Sequence, residues 1–168
     1  NRSVLLSLPD RQFASGTPIA LGRTPTCVSV ADFVLATGLV RDDIAVGVRS
    51  NPQTRPPLPA QVFLFANNNQ PIVGFAQRGD AVALEDEPDD SSPTDGDPDK
   101  PIDVAVAMSG RDLVRVLRNV TSEGRSFEQG ASINVSGGPT QIVGRTRRTP
   151  FGVPWCNRPG ALDTFLDL

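Results

Sequence analysis

The chain has 168 residues, enough for one domain with a substantial core, and combines 16 basic residues with 19 acidic ones for a net charge of −3. It contains no His and no Tyr. Because His is the usual general base near neutral pH and the commonest metal ligand, its absence excludes a Ser-His-Asp triad, a Cys-His pair and a His-based metal site. Ser-Lys chemistry, carboxylate pairs and Thr or Cys nucleophiles remain possible for catalysis, but no spacing in the sequence points to them. The sequence therefore predicts a non-enzymatic protein that uses no cofactor.

Most apolar segments are short, rich in Val, Ile and Phe, and bounded by Gly, Pro or Asn, which is typical of β-strands. In chain order, strands are predicted at 3–8, 17–22, 44–49, 61–66, 71–77, 80–84, 102–108, 131–136 and 140–145. The clearest unit is a hairpin in which polar residues 67–70 join two apolar runs. Its residues predicted to contribute to the core are Phe63, Phe65, Ile72, Val73 and Phe75.

Two segments favour short helices. In the first, Ser109 is a candidate N-cap, and the apolar residues of 113–120 recur at helical spacing. The second, 29–38, fits either a helix or a strand. The Pro-rich stretch 50–60 is expected to be an extended connector. The pattern as a whole predicts one mainly β domain over 1–168, an antiparallel sandwich or barrel with one or two short helices.

Residues 85–100 contain eight acidic residues and the single lysine, a local charge of −8 + 1 = −7. The rest of the chain, with 15 Arg against 11 acids, has a charge of +4. The run offers no large apolar side chain to bury and places like charges together, so it is predicted to be an acidic loop insertion. It could be a solvated loop, an irregular Ca²⁺ site, or a segment that docks on a basic surface.

The calcium interpretation is the weakest of these as a regular motif. Asp95, Asp97 and Asp99 have the spacing of the first three ligands of an EF-hand loop, but Lys100 and Val106 occupy the positions of the required Gly and bidentate Glu. No metal site is therefore predicted. Docking would join the acids to arginines on the polar face of the first helix, and the predicted partner-binding residues are Asp86, Glu87, Asp89, Asp90, Asp95, Asp97, Asp99, Arg111, Arg115 and Arg118.

Two further motifs concern the surface of the chain. The tripeptide at 78–80 is Arg-Gly-Asp, an integrin-type motif, although its position between two predicted strands favours a simple Gly turn. N-glycosylation sequons begin at Asn1, Asn119 and Asn134. The predicted helix end makes Asn119 the most accessible of the three.

These observations favour a structural or assembly subunit, most simply a virus or phage particle protein such as a capsid, protrusion or decoration domain, located in the virion. The start at Asn1 rather than Met favours a processed or excised chain. The expected partners are other protein chains, either further copies or a shell protein, in a homo-oligomer or larger assembly. The net negative charge argues against nucleic acid as the main partner, and no apolar stretch is long enough to span a membrane.

Two alternatives remain open from the sequence. One is a secreted or cell-surface adhesion domain, which a disulfide between Cys27 and Cys156 would support; the two residues could equally be separate buried thiols. The other is an accessory domain of an enzyme.

Overall fold

The computed structural model describes residues 5–7, 13–15, 18–34, 42–67, 74–94, 101–121 and 126–143. These residues form β1 (Leu5–Ser7), β2 (Phe13–Ser15), β3 (Pro25–Ala31), β4 (Asp43–Val48), β5 (Gln61–Asn67), β6 (Phe75–Gln77), β7 (Val82–Ala83), β8 (Asp90–Thr94), β9 (Asp103–Met108), β10 (Leu113–Asn119) and β11 (Phe127–Asn134). Besides these strands they include a 3₁₀ turn at Ser109–Arg111, and none of them belongs to a helix of 7 or more residues.

The strands form two principal antiparallel sheets. One has the order β11-β10-β9-β8, and the other has the order β3-β4-β5-β6, with β7 also paired to β5. β3 lies against β8 at one side of the molecule and β7 lies against β11 at the other. β1 and β2 pair separately. The prediction of a mainly β, antiparallel architecture is confirmed; the arrangement is a sandwich and not a closed barrel.

The main core lies between the two sheets. Alternation in β9 directs Val104, Val106 and Met108 into it, and all three are fully buried. Phe33, in the segment after β3, meets Phe127 of β11 edge to face with ring centroids 5.6 Å apart. This pair ties the two sheets together at the end of the sandwich where β3 and β10 finish.

A second apolar cluster covers the outer face of the five-stranded sheet. Every residue of β4 is buried, because Ala45 and Gly47 face the other sheet while Ile44, Val46 and Val48 face outwards. The residues of 18–34 and of the hairpin that pack on this outer cluster are Ile19, Leu21, Phe63 and Phe75. The five-stranded sheet is therefore apolar on both faces.

The predicted hairpin over 61–77 is confirmed by the pairing of β5 with β6, in which Asn67 lies opposite Phe75. Phe65 is buried, whereas Phe63 and Phe75 are half-buried on the outer face. Ile72 and Val73 lie outside the described residues.

The helix predicted after Ser109 is wrong, because Leu113–Asn119 is strand β10. Leu113 and Leu117 satisfy both a helical spacing and a two-residue strand repeat, so their pattern could not separate the two structures. The tight loop between β9 and β10 decides for the strand: Asp112 takes the left-handed conformation, with φ = 51°, and Leu113 pairs directly with Met108. Of the second helical segment, Ser29–Ala31 belong to β3.

Other strand predictions hold in part. The segments 44–49, 61–66 and 102–108 match β4, β5 and β9 to within a residue or two, and 131–136 overlaps the end of β11. The strand at 17–22 is reduced to a bridge at Ile19, and 140–143 is not a strand. No strand was predicted at β2, β8 or β10, and β3 was anticipated only in part, by the strand alternative for 29–38.

The Pro-rich stretch 50–60 is not extended. It is the loop of the β4–β5 hairpin, closed by two hydrogen bonds between Asn51 and Leu58, at 2.8 and 3.0 Å. The Thr54 hydroxyl donates to the carbonyl of Asn51 at 2.9 Å. The stretch therefore joins adjacent strands of one sheet and does not divide the chain.

Candidate interaction site

Part of the acidic run is built into the sandwich instead of forming a loop. Asp90–Thr94 is strand β8, an edge strand paired with β9. Ser91 and Ser92 are buried, and the Ser29 hydroxyl of β3 donates to the Ser91 hydroxyl at 2.6 Å. Small polar side chains can be buried when they hydrogen-bond to each other, so the lack of large apolar residues did not prevent this segment from entering the fold.

Carboxylates of the run are also acceptors for the chain's own backbone. Glu87 accepts hydrogen bonds from the N–H and the hydroxyl of Ser50, and Asp89 accepts one from the N–H of Ser109 at 2.6 Å. Asp90 accepts from the N–H of Ile142 at 2.9 Å. Because charged acceptors make the stronger hydrogen bonds, these contacts tie three separate loops to the start of β8.

Four further acidic residues, Asp86, Asp95, Asp97 and Asp99, were predicted to bind a partner. The Asp86 carboxylate lies so close to Gly110 that a side chain at position 110 would overlap it. Asp95, Asp97 and Asp99 lie outside the described residues.

The three predicted arginines do not form one stripe, because they lie on a strand and a turn. Arg115 is opposite Val106 of β9 and so points between the sheets, where it forms an ion pair with Glu85 and donates to the carbonyl of Gly130 at 3.2 Å. Its side chain is only 13% exposed. Arg118 points to the opposite face and pairs with Glu128 of β11. Arg111 is exposed in the 3₁₀ turn.

One of the three arginines, Arg115, therefore contacts the acidic run, through Glu85. The contact between the acidic run and Arg115 is thus made within the chain itself.

Two arginines, Arg23 and Arg49, lie at one end of the five-stranded sheet, and this site was not predicted from the sequence. The N–H of Arg49 donates to the carbonyl of Thr24 at 2.9 Å, which places Arg49 beside the start of β3. Arg23 donates to the Gln61 side chain and to the carbonyls of Arg49 and Pro59. Burial lowers the pKa of Arg23, and the nearby Glu87 opposes that effect. Two shallow polar grooves adjoin these arginines.

The free edge of β3 exposes two apolar side chains. Val28 is 43% exposed and Val30 is 54% exposed, whereas Cys27, Ser29 and Ala31 point inwards. The register places Val28 opposite Val46 and Val30 opposite Ile44, so both valines continue the outer apolar face onto the edge strand. Alternation within TCVSVA was the signal for this strand, but the same residues also suited a helix start.

The Arg-Gly-Asp tripeptide is exposed, but it is not at a hairpin tip. Gln77 pairs with Phe65 and Val82 pairs with Val62, so the four residues 78–81 lie opposite two residues of β5. The tripeptide is thus a bulge in an edge strand, with Gly79 at φ = 64°.

The sequon at Asn119 is buried, which contradicts its predicted accessibility. Its side-chain amide donates to the carbonyls of Phe33 and Ile102 at 2.9 and 2.8 Å. Asn134 is exposed at the end of β11, and Asn1 lies outside the described residues. Cys27 carries a free, buried thiol whose pKa is raised by burial.

Comparison of the chain with family models, with curated proteins and with solved structures finds no match. In the described ranges, no helix has the length and apolarity to cross a membrane. The same ranges contain no cluster of three or more Cys, Asp or Glu residues arranged to hold a metal ion.

Proposed function

We propose that the chain is a structural subunit whose surface joins it to other protein chains, most simply a subunit of a virus or phage particle. The observation that carries this proposal is the five-stranded sheet with two apolar faces, of which the outer one extends to exposed valines at the β3 edge. The outer face is buried at Ile44, Val46 and Val48, so its exposed part is the pair of valines at the β3 edge. Exposed apolar patches are typical of interaction sites in soluble proteins.

The internal use of the charged residues supports the same function. Four acidic residues of the run bind the inward-facing Arg115 or backbone N–H groups of neighbouring loops: Glu85, Glu87, Asp89 and Asp90. The acidic run therefore stabilises the sandwich. A sandwich stabilised in this way, with exposed apolar side chains at the β3 edge, suits a protein that occupies a fixed place in an assembly.

The test is to image the concentrated chain by electron microscopy, alone and with any chains that co-purify with it from its natural source. Regular oligomers or incorporation into a particle are expected. Monomers under both conditions would overturn the proposal.

The exposed tripeptide favours a second candidate, an extracellular adhesion domain. Arg78, Gly79 and Asp80 are all exposed on the bulge. Cell attachment to a surface coated with the chain is expected in this case to be lost in Asp80→Glu, which keeps the charge and lengthens the side chain. Equal attachment to both proteins would reject the adhesion function.

A further inference from the structure

Three of the four edges of the two principal sheets carry features that discourage pairing with another strand. The β6–β7 edge is interrupted by the bulge at 78–81, which contains two charged residues. β8 contains Pro93, which has no N–H to donate, and β11 carries Glu128 and is irregular around Gly130. Bulges, prolines and charges are the usual means by which proteins protect sheet edges.

The fourth edge, β3, has none of these features over Cys27–Ala31. The strand begins with Pro25 and is irregular at Thr26, and its pairing with β4 is regular from Cys27 onwards. The five residues carry no charge and no proline, and two of them are the exposed valines. Among the described strands, β3 pairs with β4 alone.

The two ends of β3 carry different charged residues. Arg23 and Arg49 lie at its beginning, with Glu87 and Asp89 next to them, and Asp32 and Asp42 lie at its end. In antiparallel orientation, a second copy would place its aspartates beside these arginines and its uncharged residues 27–31 beside the same residues of the first copy. An uncharged strand of a different protein could pair with the apolar middle of this edge, but it would offer no opposite charge to the charged residues at its ends.

We propose that the β3 edge pairs antiparallel with the β3 edge of a second copy, which joins the two five-stranded sheets into one continuous sheet across a two-fold axis. This inference rests on the proposed assembly function and specifies the partner and the contact. Val28 and Val30 of each copy then meet those of the other on the outer face, and the arginine end of one copy lies beside the aspartate end of the other.

The first experiment measures self-association by sedimentation velocity in the double variant Val28→Lys/Val30→Lys. Because lysines on an edge oppose strand pairing, the dimer dissociation constant is expected to rise at least about tenfold. The matched control, Ala131→Lys/Ser136→Lys, adds the same charge at exposed positions on and just after β11 and is expected to associate like the unaltered chain. Circular dichroism confirms that both variants are folded.

The second experiment tests the orientation and also decides the question if the valine variant fails to fold. Asp42→Lys and Arg49→Glu each place like charges together and are expected to weaken the dimer. The combination Asp42→Lys/Arg49→Glu exchanges the charges of this pair, so that the lysine at position 42 of one copy again meets an opposite charge at position 49 of the other, and it is expected to restore the dimer. A combination as weak as the single variants would overturn the antiparallel arrangement.

The outcomes separate this inference from the proposed function. A chain that assembles with equal strength in the unaltered form and the valine variant, or that binds only a different particle protein, overturns the inference and leaves the function standing. A dimer that depends on Val28 and Val30 but never enters a larger assembly supports the inference and overturns the function as a particle subunit.

Discussion

Asn119 illustrates how one buried polar side chain can organise a fold. Its side-chain amide N–H groups donate to the backbone carbonyls of Phe33 and Ile102, which belong to different parts of the chain, and its side-chain oxygen Oδ1 accepts from the Thr121 hydroxyl at 2.7 Å. The tripeptide Asn-Val-Thr at 119–121 has the sequence of a glycosylation sequon, which is normally at the surface, but here Asn119 is buried and forms hydrogen bonds in the interior. Sequence could not show this, because the partners are backbone groups brought close only by the tertiary structure.

Replacing Asn119 with Ala is expected to lower the free energy of unfolding by about 1–3 kcal/mol, because the buried carbonyls of Phe33 and Ile102 each lose the Asn119 amide as a donor. Urea denaturation measures the change. Asn134→Ala, at an exposed sequon, is the control and is expected to stay within about 0.5 kcal/mol of the unaltered chain. Equal effects of the two changes would contradict the structural role of Asn119.

Asp43 should give the stability a pH dependence. Burial raises the pKa of its carboxyl above the usual range, although Val34 and Asn67 donate backbone hydrogen bonds to it at 2.7 and 2.8 Å. The folded state therefore holds the proton more tightly than the unfolded state. The resulting stabilisation is complete below the unfolded pKa of about 3.9 and is lost as the pH rises through the folded pKa.

The free energy of unfolding is measured between about pH 3 and 8 for the unaltered chain and for Asp43→Asn. Titration of one group changes the difference between the two proteins by at most ~1.4 kcal/mol per pH unit. The unaltered chain is expected to lose stability relative to Asp43→Asn as the pH rises from about 4. Asp80→Asn, at an exposed residue of the bulge, serves as the control. A difference between Asp43→Asn and the unaltered chain that is independent of pH would contradict this account.

At the level of elements, the strands β4, β5 and β9 were predictable because their alternation and turn residues are local. β8 was not, because it contains no large apolar side chain and enters the sheet only through pairing with β9 and the contact between Ser29 and Ser91. β10 was not either, because its two leucines fit a helix as well as a strand. A deletion of residues 86–99, harmless for a simple loop, would remove an edge strand and the fully buried Pro88.

The two ion pairs of β10 provide a matched comparison. The pair between Arg115 and Glu85 lies partly between the sheets, whereas Arg118 and Glu128 pair on the surface, with Arg118 60% exposed. Glu85→Gln is expected to cost about 1–3 kcal/mol, between the values for surface and fully buried pairs, because it leaves a largely buried arginine charge without its partner.

Glu128→Gln is expected to cost less than about 1 kcal/mol. Denaturant unfolding of both variants gives the comparison. A loss for Glu128→Gln as large as that for Glu85→Gln would show that Arg115 is not constrained by its place between the sheets.

For the whole molecule, composition correctly indicated a β-rich fold but could not locate an interaction surface. Some of the charged residues singled out from the sequence bind other parts of the scaffold, as Glu87, Asp89, Asp90 and Arg115 do. The exposed valines of β3 belong to a segment that was not singled out. Exposure of a strand depends on its place at the edge of a sheet, and that place is set by long-range pairing.

Association with other chains is required by both the proposed function and the proposed β3 contact. It can be tested by sedimentation velocity of the unaltered chain over a range of concentrations, in salt of about 0.1 M and about 1 M, where the screening lengths are about 10 Å and 3 Å. We expect a species that shifts from monomer to dimer or larger as concentration rises, with weaker association at high salt because the charged residues at the ends of β3 are then screened. A single monomeric species at every concentration in both salts would contradict it.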